Sequence, residues 1–110
     1  MIMEKTTVDE IKQISRQLEE CDISEDRLNR FIDEMDSYNE YAGRMYNELL
    51  LLWQNDSRMY GSLCEDQQFF QHTIRMNENA VAEEKKRISQ VRRKLKDELD
   101  FLIGKRNENS

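Results

Sequence analysis

No proline occurs anywhere in this 110-residue chain, so no position in it forces a helix to break. The clearest interruption is Leu49-Leu-Leu-Leu-Trp-Gln-Asn-Asp-Ser57, near the midpoint. A Trp closing an apolar run just before Asn-Asp-Ser sets a large anchor beside residues that tolerate left-handed backbone and cap helices. Long heptad-patterned segments lie on both sides. Together these features predict an all-α fold, an antiparallel, coiled-coil-like two-helix hairpin with its bend near residues 54–61. The chain reads as a single domain, 1–110, with helix one at about 8–53, helix two at about 58–104 and short flexible termini.

The Thr7-Val-Asp-Glu10 capping box opens the first helix near Val8. Beyond it, apolar residues recur every seven at Ile14, Cys21, Leu28, Met35, Ala42 and Leu49, and again at Phe31, Tyr38, Met45 and Leu52. Reading the first set as a and the second as d gives the alternating spacing of a coiled coil. The e positions Leu18, Ile32, Tyr46 and Trp53 widen the stripe toward what a bundle helix needs.

The second helix repeats the pattern with Tyr60, Ile74, Val81, Ile88, Leu95 and Leu102 in one row and Leu63, Phe70 and Val91 in the other. Gln67, Asn77, Glu84 and Glu98 interrupt it, and polar residues at such positions lower stability while fixing register or meeting a partner. Asp22-Ile-Ser-Glu25 and Ser62-Leu-Cys-Glu65 resemble further capping boxes, which predicts a break in helix one near residue 22 and a bend reaching Gly61. Folding the chain back on itself sets Leu49 opposite Leu63, Ala42 opposite Phe70, Tyr38 opposite Ile74, Phe31 opposite Val81 and Cys21 opposite Val91. The acidic run Glu19, Glu20, Asp22, Glu25, Asp26 then faces the basic run Lys85, Lys86, Arg87, Arg92, Arg93, Lys94. One apolar stripe per helix stays partly wet in a lone hairpin, so the expectation is marginal stability and completion of a helical bundle by a partner.

A net charge of −6 disfavours nucleic acid as a partner. No apolar stretch approaches the roughly 20 residues of a membrane span, and Met-Ile-Met-Glu-Lys-Thr-Thr at the start lacks an apolar signal core. The expected compartment is the cytoplasm. Two isolated cysteines, Cys21 and Cys64, do not make a disulfide framework, and Cys21 falls on the apolar stripe as a small buried thiol.

Nothing in the chain reads as an active site. His72, the single histidine, lacks a Glu at the spacing of a helical metal motif, so neither a metal nor another cofactor is expected. The carboxylates read as solvated helix faces, since paired catalytic acids need a partly apolar pocket. The basic cluster from Lys85 to Lys96 lacks interleaved aromatics and reads as a charge face. Leu50, Leu51, Phe69 and Met76 lie off the stripe, and with Tyr46, Trp53 and Phe70 they make the bend end apolar on more than one side. These seven residues are the candidate partner-binding site.

Two long helices joined just after a central Trp, in an acidic chain of this size, resemble the WXG-type proteins of the type VII secretion system of Gram-positive bacteria. Here the tripeptide is Trp53-Gln54-Asn55, with Asn where that family has Gly, and no Tyr-x-x-x-Asp or Tyr-x-x-x-Glu signal follows helix two. The pattern Leu52-Trp53, Asp56, Tyr60, Leu63, Asp66, Phe70, then Glu83 to Lys96 rich in Lys and Arg, is more similar to the LXG-associated α-helical proteins encoded beside LXG polymorphic toxins. That resemblance implies a non-enzymatic targeting factor or chaperone that binds and shields the helical N-terminal LXG domain of a toxin and helps present it for secretion. It also implies a second small helical protein as a further partner, and co-export with the toxin as a route that needs no cleaved signal. The alternative from the residues themselves is a self-associating scaffold, a homodimeric four-helix bundle.

Overall fold

The computed structural model describes the backbone of residues 2–108 and the side chains of residues 6–107. Its fold is all-α, two helices joined by one tight turn: α1 spans Ile2–Leu52 and α2 spans Ser57–Glu108. Both run past their expected limits. Thr7 lies inside α1 and does not cap it, because Ile-Met-Glu-Lys ahead of it are competent helix formers. The segments expected to be short flexible termini are helical from Ile2 and as far as Glu108, while Met1, Asn109 and Ser110 lie outside the described residues. Nor does α1 break near residue 22, where Cys21 and Glu25 on either side are drawn into the helix contact.

The turn occupies residues 53–56 and stops well short of Gly61. Trp53 N donates to Leu49 O at 3.0 Å, ending α1, and Asp56 N donates back to Trp53 O at 3.0 Å, closing the reversal. Asp56 then caps α2, its Oδ1 accepting from Met59 N at 3.0 Å, while its carbonyl takes the first helical bond from Tyr60 N at 2.8 Å. With Asp56 in that role the Ser62 box is redundant. No described residue has a positive φ, so the turn does not use the left-handed backbone that Asn55 tolerates.

The chain divides into two units of 55 residues each: unit 1 is 1–28 with 84–110, and unit 2 is 29–83. Each pairs a stretch of α1 with a stretch of α2 running the opposite way. In unit 1, Ile14, Cys21, Ile88 and Leu95 are buried together, with Leu18, Leu28, Leu99 and Leu102 packed against them. The opposed charge runs meet here through one residue: Arg92 Nη2 bonds Asp22 Oδ1 at 3.0 Å and also Glu25 Oε2. The hydrogen bond to Glu25 is the main reason the Arg92 pKa is raised. Arg87, by contrast, pairs along its own helix, Nη2 to Glu84 Oε1 at 2.6 Å. In unit 2, Ala42 alone is buried among the described residues, and Tyr46 of α1 packs its ring on Phe70 of α2. Phe70 meets Tyr46, one turn nearer the bend than Ala42.

On α1 the expected row Ile14, Cys21, Leu28, Met35, Ala42, Leu49 is buried or half-buried throughout. Its companion row is not the expected one. Phe31, Tyr38, Met45 and Leu52 stand 51%, 66%, 45% and 72% exposed, and the neighbouring row Ile11, Leu18, Glu25, Ile32, Asn39, Tyr46 takes the seam instead. A regular helix presents the same rows along its length. Toward the N-terminus the row of Phe31 continues as Glu10, Gln17 and Ser24, whereas that of Ile32 continues as Ile11, Leu18 and Glu25, and the more apolar continuation wins the contact. On α2 the half-buried residues Leu63, Gln67, Phe70 and Ile74 follow the expected rows. Past Val81 the sequence of contacts is Glu84, Ile88, Arg92, Leu95, Leu99, Leu102, so two four-residue steps come in succession and Val91 and Glu98 give way to Arg92 and Leu99. Such a step keeps an α-helix of 3.6 residues per turn in contact where a strict heptad drifts off the seam.

Candidate functional site

The seven residues expected to bind a partner all fall in unit 2, and the structure distributes them over four places. Tyr46 and Phe70 are half-buried in the seam with ring centroids 5.4 Å apart. Trp53 stands in the turn, 38% exposed. Leu50 and Leu51 line a shallow depression with Asn47, Gln54 and Tyr60. Phe69 and Met76, seven apart on one row of α2, are 73% and 59% exposed.

A larger feature comes from the seam itself. With the row of Ile32, Asn39 and Tyr46 turned inward, Phe31, Tyr38, Met45 and Leu52 form a continuous outward row beside it, and Tyr41 widens the row at 66% exposure. In an antiparallel pair, the rows one position before the inward rows of each helix lie on the same side of the contact. Unit 1 shows that relation directly: Gln17 and Ser24, one before Leu18 and Glu25, share a groove with Val91, one before Arg92. In unit 2 the same rule brings Met59, 40% exposed, and the flanking row of Phe69 and Met76 to the side of Phe31, Tyr38 and Met45.

The two units are equal in length but unequal in exposure. Of the fifteen large hydrophobic residues exposed among the described residues, eleven belong to unit 2. Of the five buried hydrophobic residues, four belong to unit 1. Unit 2 thus has a thin seam and a broad exposed apolar face. Sequence reasoning assigned Phe31, Tyr38, Met45 and Leu52 to the internal seam and so missed them as surface. The signal that finds them is that α1 carries three adjacent apolar rows between residues 28 and 52, more than one partner helix covers.

Of the side chains with reactive chemistry in this unit, Cys64 is half-buried and His72 is exposed. Among the described residues no three or more His, Cys, Asp or Glu side chains gather as a metal site, and no helix is long and apolar enough to cross a membrane. Comparison of the chain with protein-family models, with curated proteins and with solved structures finds no match.

Proposed function

We propose that this protein is a non-enzymatic binding module whose unit 2 docks the helices of another protein, acting as a targeting factor or chaperone for the helical N-terminal domain of an LXG toxin bound for type VII secretion. The observation that carries the docking reading is the outward row Phe31, Tyr38, Met45 and Leu52 beside a seam that buries only Ala42 among the described residues of this unit. Covering that row with apolar side chains of a partner is worth roughly 25 cal/mol per Å² removed from water, less the ordering costs of association. The identity of the partner rests on the resemblance of Leu52-Trp53, Asp56, Tyr60, Leu63, Asp66 and Phe70 to the LXG-associated α-helical proteins.

The test is co-expression with the helical N-terminal domain of a toxin encoded beside this protein. The two should co-elute as a complex, and thermal unfolding should move upward and sharpen, as linkage to a bound partner requires. A protein that melts sharply as a dimer alone, and ignores the toxin domain, would instead be the self-associating scaffold.

A further inference from the structure

The rows that form the apolar face of unit 2 hold carboxylates and no cation, and the nearest cations, Arg30, Arg44 and Arg58, stand in the rows just outside it. It is built on four heptad rows: 31/38/45/52 and 34/41/48 on α1, and 59/66/73/80 and 62/69/76/83 on α2. Glu34, Glu48, Asp66 and Glu83 sit in these rows, all exposed, and not one of the rows holds a Lys or Arg. Among the described residues none of the four is held in an ion pair. Arg44, the cation of α1 closest to Tyr41 in sequence, is engaged by Glu40 on its own helix.

The imbalance extends to the whole unit. Residues 29–83 contain four Lys or Arg against ten Asp or Glu, whereas unit 1 contains thirteen of each, so the net charge of −6 belongs to unit 2. An anionic border around an apolar centre selects its occupant by sign. A second copy meeting face to face brings the same charge and is repelled, and phosphate-bearing surfaces are repelled likewise. We infer that the occupant of this face is a cationic amphipathic helix, apolar at heptad spacing and flanked by Lys or Arg. Its apolar residues cover Phe31, Tyr38, Met45 and Phe69, and its cations meet Glu34, Glu48, Asp66 and Glu83. The inference rests on the reading of unit 2 as a helix-docking surface and adds the chemistry of what docks.

The experiment titrates the full chain against two synthetic helical peptides, each about four heptads long with the same Leu-Ala stripe, one flanked by Lys and the other by Glu. At low salt the Lys-flanked peptide should bind at least about ten-fold more tightly, with the advantage shrinking as salt rises. Neutralising the border with Glu34→Gln, Glu48→Gln, Asp66→Asn and Glu83→Gln should remove that preference. Replacing Tyr38→Ser and Met45→Ser together should weaken the Lys-flanked peptide by about ten-fold or more. All six positions are exposed, and circular dichroism on each variant checks that helicity is kept; should the Tyr38 and Met45 variant unfold, the neutralised border carries the test alone. Equal affinity for both peptides, still sensitive to Tyr38 and Met45, would overturn the charge inference and leave the docking reading standing. Binding of neither peptide, or a dimer of the protein alone that the Tyr38 and Met45 variant abolishes, would overturn both.

Discussion

The rings of Tyr46 and Phe70 meet at 5.4 Å between centroids and a 40° tilt, one from each helix, with Tyr46 next in sequence to Asn47 at the edge of the Leu50 and Leu51 depression. This is the tilted geometry that aromatic pairs favour beyond simple area burial. In a unit whose buried side chain is Ala42 alone among the described residues, the pair supplies a large share of the contact between helices.

Phe70→Ala should therefore destabilise the protein by about 2 kcal/mol. That is below the usual 3 to 5 kcal/mol for a fully buried Phe, because Phe70 is only half-buried. Urea unfolding followed by circular dichroism measures it. A midpoint unchanged from wild type would show that the pair holds nothing together. Phe69→Ala, at a position 73% exposed, should leave the same midpoint nearly unmoved.

The hairpin was legible because the heptad row from Ile14 to Leu49 is unbroken and one short segment is suited to turning the chain. What the sequence left open was which flank of that row packs inward. Phe31, Tyr38 and Met45 are together more apolar than Ile32, Asn39 and Tyr46, yet the latter take the seam, because a helix keeps its contact rows and Ile11 and Leu18 continue that row. Hydrophobicity read locally chose the wrong flank, and with it hid the outward row of Phe31, Tyr38, Met45 and Leu52. The shift to Arg92 and Leu99 on α2 was hidden for a related reason: Val91 is the more apolar choice, and only the drift of a 3.6-residue helix against a seven-residue repeat favours Arg92. The candidate residues were legible as a region, since all seven lie in unit 2, but their separation into seam, turn and surface depends on that flank.

Asp56 carries a second stability prediction. Its carboxylate satisfies the Met59 amide at the start of α2, and loss of such a cap costs about 0.5 to 2 kcal/mol. Asp56→Ala should lower the melting temperature, whereas Asp56→Ser, which keeps an accepting oxygen, should recover most of the loss. If Ser62 were the true start of the helix, both substitutions would be neutral.

Arg92 occupies a seam position with its side chain 24% exposed and binds Asp22 and Glu25 across the helices. Arg92→Ala removes those pairs and the packing of the aliphatic stem, and should cost about 1 kcal/mol given the exposure of both carboxylates. Arg92→Leu should match or exceed wild-type stability, since an apolar side chain at a seam position needs no desolvated partner. Melting in low and high salt separates the two effects: wild type should lose stability with salt and the Leu variant should not.

Glu84 sets a pH dependence. Its hydrogen bond from Arg87 holds the Glu84 carboxyl below the ordinary carboxylate range, outweighing the rise from desolvation, and Arg87's charge adds a lesser lowering. A depressed folded-state pKa contributes stability that is present above the unfolded value and is lost as pH falls through the folded one. Acidification from neutral pH toward about 3 should therefore destabilise wild type more than Glu84→Gln. Because the Glu84 side chain is still 43% exposed, the gap should be small, and a gap of the opposite sign would show that the Arg87 pair does not form in solution.

The faces of unit 2 can be told apart by where substitutions act on partner binding. Tyr38→Ser, Met45→Ser and Phe69→Asp lie on the apolar face, at positions 66%, 45% and 73% exposed, so they should weaken binding of the proposed toxin-domain partner while leaving helicity intact. Truncated anchors near the centre of a helical interface commonly cost 2 kcal/mol or more, about thirty-fold in affinity. Leu51→Ser lies in the depression with Asn47 and Tyr60 and should have little effect. His72→Ala, exposed and removed from the aromatic row, should have none. Trp53 stands apart because it both closes the turn, its carbonyl accepting from Asp56, and remains 38% exposed. Trp53→Ala keeps the backbone bond, so full helicity with weakened binding would assign the indole to the interface, and lost helicity would assign it to the turn. Isothermal titration of each variant decides among these. If Leu51→Ser weakened binding and Tyr38→Ser did not, the docking surface would lie in the depression at the bend, and the outward aromatic row would have no part in recognition.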